Sequence, residues 1–188
     1  MKLPARGKIT GLILAGGQGS RMGGRDKGLV PYRGKPLIDH AIACLAPQVD
    51  ELLISANRNL EEYGRRGYPV ISDSLPDFQG PLAGVLAGLQ AARHEWVLTV
   101  PCDMPQLPKQ LAERLLAASR GVAIVVADDG LRIHPAVMLA RASLAQALAD
   151  YLASGKRSVR GFQESAGYAT APFEPAEMAN INTLEEIG

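Results

Sequence analysis

The residues with the clearest capacity for chemistry form one run, Leu14-Ala15-Gly16-Gly17-Gln18-Gly19-Ser20-Arg21-Met22-Gly23-Gly24-Arg25-Asp26-Lys27-Gly28. Glycines lack a Cβ, so backbone N–H groups can close around phosphate oxygens, and Arg21 and Lys27 add the positive charge that a triphosphate requires. The run reads as a nucleoside triphosphate cradle. Two better-known phosphate loops fail on spacing. The Walker pattern ends Gly-Lys-Ser/Thr, whereas Lys27 stands between Asp26 and Gly28. The dinucleotide pattern needs a further glycine where Met22 stands. A merely flexible glycine loop is the plain alternative, and the two cations behind an apolar run argue against it.

Asp103 is the second feature. It lies in Pro101-Cys102-Asp103-Met104-Pro105, directly after the apolar run Trp96 to Val100. Mg2+ prefers a few carboxylate and phosphate oxygens and keeps its waters, so one well-placed aspartate can anchor it. The alternative is a helix cap, although Pro105 and Pro108 delay the helix that follows. Cys102 has no histidine near it in sequence and reads as a small buried residue, not a nucleophile.

Asp73 follows another apolar run, Tyr68 to Ser72, and Gly80-Pro81-Leu82-Ala83-Gly84 makes a tight loop that feeds a helix. Both would face a nucleotide. Guanine presents N1–H and N2–H2 donors that a carboxylate or loop carbonyls accept, so guanine choice is allowed here and not required. Asp73 could equally cap a turn with Ser74. Asn180 and Asn182 would project to one side of an extended segment. Lys156, Arg157 and Arg160 form a basic cluster that reads either as an anion site or as a solvated helix end. His40, His94 and His134 show no metal-ligand spacing; the first two read as structural or surface residues, and His134, before Pro135 and a strand, as a candidate for an acceptor site.

Elements must position these side chains. Lys8 to Ala15, Glu51 to Ala56, Tyr68 to Ser72, Trp96 to Val100, Val122 to Ala127 and Ala136 to Ala140 read as short buried strands. Helical spacing marks Pro36 to Leu45, Gly84 to Ala92, Lys109 to Ala118 and Ser143 to Leu152. Tyr168 to Phe173 reads as an edge strand, and a last helix starts at Asn182-Thr183. This alternation predicts an α/β fold, a single Rossmann-like three-layer αβα domain with a mostly parallel central sheet and right-handed crossovers. Ligands are then expected at the carboxyl ends of the strands.

Bulk properties exclude other classes. A chain of 188 residues can bury roughly 70% of its unfolded surface in one core. A net charge of +1 lacks the excess that nucleic-acid binding uses. Cys44 and Cys102 form no CxxC pair, which fits a reducing cytosol. No stretch approaches the ~20 uncharged apolar residues of a membrane span, and the apolar run after the N-terminus passes into glycines instead of a cleavage site. A cytoplasmic protein without membrane contact is expected.

The chain resembles the nucleotidyltransferases with a Leu-Ala-Gly-Gly-x-x-x-Arg-Met-Gly…Lys loop and, within them, the molybdenum cofactor guanylyltransferases of the MobA type. The likeness rests on Leu14 to Leu29, Gly34-Lys35-Pro36-Leu37, Asn57-Arg58, Asp73-Ser74, Gly80 to Gly84, Pro101 to Pro105, His134-Pro135 and Asn180-Ile181-Asn182-Thr183, in the family's order. It implies transfer of GMP from GTP to molybdenum-molybdopterin with release of pyrophosphate. It implies Arg21, Lys27 and Asp103 as catalytic residues, with Mg2+ on Asp103. The GTP site would comprise Leu14, Ala15, Gly16, Gly17, Lys27, Asn57, Asp73, Gly80, Pro81, Leu82, Gly84 and Asp103. The acceptor side would comprise His134, Lys156, Arg157, Asn180 and Asn182. Residues 8–105 would form a nucleotide-binding half and 106–188 an acceptor-binding half. Transient contacts with molybdenum-insertion proteins and apo-molybdoenzymes are implied too. The alternatives are a relative acting on another phosphorylated acceptor, with a cytidylyl or sugar-phosphate specificity, and a non-catalytic nucleotide-binding regulator.

Overall fold

Strands that are apolar on both sides need cover on both faces, and helices provide it here. The computed structural model describes residues 8–16, 26–73 and 80–181. In chain order these form β1 (Ile9–Leu14), a hairpin of β2 (Pro31–Tyr32) and β3 (Lys35–Pro36), α1 (Leu37–Leu45), β4 (Glu51–Ser55), α2 (Leu60–Gly64) and β5 (Val70–Ile71). There follow α3 (Pro81–Ala91), β6 (Trp96–Pro101), α4 (Leu111–Ala117), β7 (Ile124–Asp128), β8 (Ile133–Arg141), α5 (Ala145–Ala153), α6 (Val159–Ala166) and β9 (Ala169–Pro172). The expected last helix at Asn182 lies outside the described residues.

Among the described residues the main sheet has the order β5-β4-β1-β6-β8-β7-β9. β1 pairs in parallel with β4 and β6, β4 with β5, and β7 with β9, while β8 runs antiparallel to β6 and β7. Alternate residues of each strand therefore face opposite layers. Ile9, Ile13, Ile54, Leu98 and Val125 pack against Ile38 and Leu45 of α1 and Leu111 and Leu115 of α4. Leu12, Leu53, Val97, Val126 and Met138 pack against Leu82, Val85 and Leu89 of α3, Leu148 and Leu152 of α5 and Phe162 of α6. The three-layer, mostly parallel expectation holds. No helix among the described residues is long and apolar enough to cross a membrane.

The expected strands lie within a few residues of their predicted bounds. Three departures have local causes. Helix α3 starts at Pro81, not Gly84, because proline suits the first helical position and Gly80, at φ 139°, stays outside the helix. Helix α6 carries few apolar residues, so its periodicity is too sparse to read. The reversed strand β8 breaks the parallel pattern: a tight turn joins it to β7, and short turns make antiparallel neighbours. Its register against β7 slips between Val126↔Met138 and Ala127↔His134. Pro135, which has no N–H to give a ladder, sits in that bulge. Its carbonyl accepts from Gln163 Nε2 at 2.8 Å instead.

Small residues let α3 lie close to the sheet. A Cβ on Gly88 would come within 2.2 Å of Leu12 Cδ2 and 3.1 Å of its Cγ. Leu12 is fully buried and has nowhere to go. Gly88→Val is expected to destabilise the protein by roughly 1–3 kcal/mol through overpacking, measured by urea unfolding. The smaller Gly88→Ala should lose less, since the helix gains about 1 kcal/mol from replacing glycine.

Candidate active site

The sheet register places the ends of β1, β4 and β6 side by side, because Leu14 pairs with both Ser55 and Pro101. The chain continues the ladder past each strand: Ala15 N–H donates to Ser55 O at 2.8 Å and Cys102 N–H to Leu14 O at 3.1 Å. Ala15-Gly16, Ala56-Asn57 and Cys102-Asp103 thus leave the sheet as three adjacent prongs at its carboxyl edge. β5 adds a fourth, since Ala56 N–H donates to Ile71 O at 3.0 Å and Ser72 Oγ to Ala56 O at 3.0 Å.

The side chains on these prongs meet in pairs. Asn57 Nδ2 donates to Asp73 Oδ2 at 2.7 Å, and Asp73 N–H donates to Asn57 Oδ1 at 3.1 Å. Gly16 lies beside this reciprocal pair, a Cβ there coming 3.6 Å from Asn57 Nδ2; the turn with Ser74 lies outside the described residues. A Cβ on Gly84 would meet Ser55 Oγ at 2.6 Å, so the first turn of α3 is seated against the end of β4. The Leu82 side chain is buried in the core, which leaves its backbone, with exposed Gly80 and Pro81, toward the edge.

Lys27 Nζ sits 2.5 Å from Asp103 Oδ2, and both side chains keep partial access to solvent at 24% and 16%. Far apart in sequence, they form the centre of the edge. The backbone of Asp103 also holds the C-terminal segment, its carbonyl accepting from Ile181 N–H at 2.8 Å. That contact brings Asn180 to the same place. Gly17, Arg21 and Asn182 lie outside the described residues.

Cys102 is buried, and its thiol is pushed up to about 12, by burial first and by the neighbouring Asp103 charge next. It stays protonated near neutral pH and is no nucleophile. His134 Nε2 lies 2.7 Å from Asp129 Oδ2, in the turn between β7 and β8. Because β8 is antiparallel, its first residues lie at the edge where the parallel strands end, and His134 pairs there with Ala127 of β7. Lys156 and Arg157 occupy the α5–α6 connection. Lys156 Nζ stacks 5.4 Å from the centre of the Tyr151 ring, Arg157 donates to Leu152 O at 2.8 Å, and Arg160 pairs with Glu164. His40 bonds the carbonyl of Tyr32 at 2.8 Å, a structural role.

The sequence reading gave no role to Asp26, Asn59 or Tyr63; Asp26 and Tyr63 are buried behind Lys27, and Asn59 reaches Asp26 from the surface. Tyr63 was the legible signal, a single aromatic among the charges Glu61, Glu62, Arg65 and Arg66.

An αβα sheet in which Gly16 follows β1 and a lysine–aspartate pair stands at the carboxyl edge is an arrangement that suits a nucleotidyltransferase. A family model described as the MobA-like NTP transferase domain matches residues 11–168, and the chain belongs to that family. It is 46% identical over 181 residues to a molybdenum cofactor guanylyltransferase of Serratia proteamaculans, covering 95% of this chain and 92% of the relative. A protein of the same name from Cupriavidus pinatubonensis is 47% identical over 191 residues, covering 97% and 96%. The crystal structure of molybdopterin-guanine dinucleotide biosynthesis protein A from Archaeoglobus fulgidus shares the fold, with a TM-score of 0.79, 22% identity and coverage of 95% and 94%.

Acid should test the β7–β8 turn. Hydrogen bonds lower the Asp129 pKa from 3.8 to about 2, chiefly that from His134 and then those from Arg132 and Leu131 N–H. A depressed carboxylate stabilises the fold fully above its unfolded pKa and loses that contribution as pH falls through the folded one. Between about pH 3.8 and about 2, Asp129→Asn should therefore show a shallower loss of stability than the parent, read by urea titrations at stepped pH.

Proposed function

We propose that the protein transfers GMP from GTP to molybdenum-molybdopterin, releasing pyrophosphate and forming the guanine dinucleotide of the cofactor. The observation that carries the reading is the Lys27–Asp103 contact of 2.5 Å at the carboxyl edge of β1 and β6. It joins the lysine of the glycine-rich sequence run to the acidic residue after β6. The close relatives named above supply the donor and the acceptor.

The cradle residues Leu14, Ala15, Gly16 and Gly17 hold the nucleotide with their backbone, and Arg21 and Lys27 neutralise the triphosphate. Asn57 and Asp73 face the base or ribose as one unit, with the Gly80-Pro81-Leu82 bend and Gly84 closing that side. Asp73 Oδ2 has accepted one amide proton and keeps acceptor capacity for a guanine N–H. Asn180 and Asn182, His134 and the Lys156-Arg157 pair serve the acceptor, the two cations through its phosphate. Both reactants are anions, so the protein accelerates an in-line attack of an acceptor phosphate oxygen on the α-phosphorus chiefly by positioning and by cancelling repulsion. No covalent intermediate on the protein is required.

The donor set suits Mg2+. Among the described residues no three His, Cys, Asp or Glu side chains gather as an all-protein cage, and Asp103 stands partly exposed beside Lys27. A single carboxylate completed by phosphate oxygens and water is the usual arrangement for this ion. Asp103 would hold it, and it would supply Lewis-acid polarisation of the phosphoryl oxygens. The reaction belongs in the cytoplasm, where the product passes by transient contact to molybdenum-insertion proteins and apo-molybdoenzymes.

Asp103→Ala is expected to fold normally and lose at least roughly a hundredfold in turnover. Near-normal pyrophosphate release from GTP with molybdopterin would remove Asp103 from the chemistry. Lys27→Ala should weaken GTP handling, seen as a fall in kcat/KM for GTP and a raised Kd by calorimetry; unchanged values would take Lys27 out of the site. A panel of the four nucleoside triphosphates with molybdopterin tests donor choice, and preference for any base but guanine overturns the reading.

A further inference from the structure

We propose that Asp26 and Tyr63 are positioning residues that aim Lys27 at the nucleotide site. The proposal rests on Lys27 acting on the triphosphate, as argued above.

The Asp26 carboxylate is largely buried, with its side chain 5% exposed. Each oxygen is occupied. Tyr63 Oη donates to Oδ1 at 2.5 Å, Asn59 Nδ2 donates to Oδ2 at 2.9 Å, and Arg58 Nε lies 3.6 Å from Oδ2. With both oxygens fixed, the carboxylate cannot swing out to take the ammonium of the next residue. Lys27 is left to reach across to Asp103. A carboxylate with free lone pairs one residue away would compete for that ammonium and add negative charge beside a bound triphosphate.

Tyr63 also fixes the other flank. A Cβ on Gly28 would lie 2.4 Å from Tyr63 Oη and 3.2 Å from its Cζ, so only glycine lets the chain pass the ring at this distance. Lys27 therefore sits between two neighbours, Asp26 and Gly28, that the same tyrosine holds. The single 3-10 turn Lys27–Leu29 completes the clamp, with Leu29 N–H on Asp26 O at 3.0 Å. A lysine side chain carries much rotamer entropy, and fixing its backbone on both sides reduces what must be lost when it engages a ligand.

Filling the core does not explain this cluster. Tyr63 is completely buried, and a phenylalanine would occupy the same volume. A buried carboxylate with its hydroxyl partner contributes little net stability compared with apolar residues of equal size. Burial and then Asp26 push the Tyr63 hydroxyl far above its usual range, so it remains a donor at any working pH. The turn that follows its helix is tied down separately, as Arg66 Nε donates to Asp39 Oδ1 of α1 at 2.8 Å. The hydroxyl is thus available to serve Asp26 without also being needed to hold α2.

A double-mutant cycle tests the proposal on the full chain with GTP, Mg2+ and molybdopterin. Kinetics are read by pyrophosphate release, GTP affinity by calorimetry and folding by circular dichroism. Tyr63→Phe should fold and lose roughly ten- to a hundredfold in kcat/KM for GTP, the scale expected for a misplaced catalytic group. In a Lys27→Met background the same change should cost less than about twofold, because the group it positions is gone. Asp26→Asn, run alongside, should show the same dependence on Lys27 and covers the case in which Tyr63→Phe melts. Equal losses in both backgrounds, or near-normal kinetics for Tyr63→Phe and Asp26→Asn, overturn the positioning role. If Lys27→Met alone leaves GTP affinity and turnover unchanged, the assignment of Lys27 itself fails, and the proposal fails with it.

Discussion

The parallel register of β1 between β4 and β6 is the constraint on which the site depends, because it makes three strands end at one level and delivers Gly16, Asn57 and Asp103 to one edge. A slip of one residue would turn every β1 side chain to the opposite face, sending Ile9 and Ile13 toward α3 and Leu12 toward α1. Burial on both faces holds the register firmly. Gly11 contributes, since a Cβ there would press on Leu52 Cδ1 at 2.9 Å and Leu45 Cδ2 at 3.0 Å. Its absence lets β1 lie deep beneath the packing around α1.

Given that frame, environment assigns different work to two carboxylates near one lysine. Asp26 is buried and saturated by Tyr63, Asn59 and Arg58, whereas Asp103 keeps partial exposure and takes the Lys27 ammonium. Beside Asp103, burial holds the Cys102 thiol protonated. The centre is therefore a cation–carboxylate pair at a wet edge with a dry, inert interior below it. That division suits phosphoryl chemistry, in which charge must be cancelled and the protein need form no bond.

The reversed strand β8 joins the second half of the chain to this edge. Antiparallel to its neighbours, it begins where they end, which takes His134 and Pro135 to the carboxyl edge of the sheet. The Asp129 carboxylate closes the turn before it, accepting from Leu131 and Arg132 N–H at 2.9 and 2.8 Å and from His134. The bulge around Pro135 is satisfied by Gln163 of α6 and by Thr99 Oγ1, which donates to Ala136 O at 2.9 Å. A helix on one face and a strand neighbour thus hold the irregular segment in place.

Much of this was legible in the sequence because local chemistry dictated it. Apolar runs closed by glycine or proline marked the buried strands, and Gly16 and Asp103 directly after two such runs marked the ends of strands that the sheet sets side by side. The block order identified the family. What tertiary structure decided was long-range pairing. Nothing near Asp73 in the chain names Asn57 as its partner, and nothing near Lys27 names Asp103, which is brought within 2.5 Å only by sheet register. The reversal of β8 was hidden because buried strands look alike in either direction. The Asp26–Tyr63 clamp was hidden because a tyrosine among charges takes its meaning from what it is buried against, and local sequence carries no record of that.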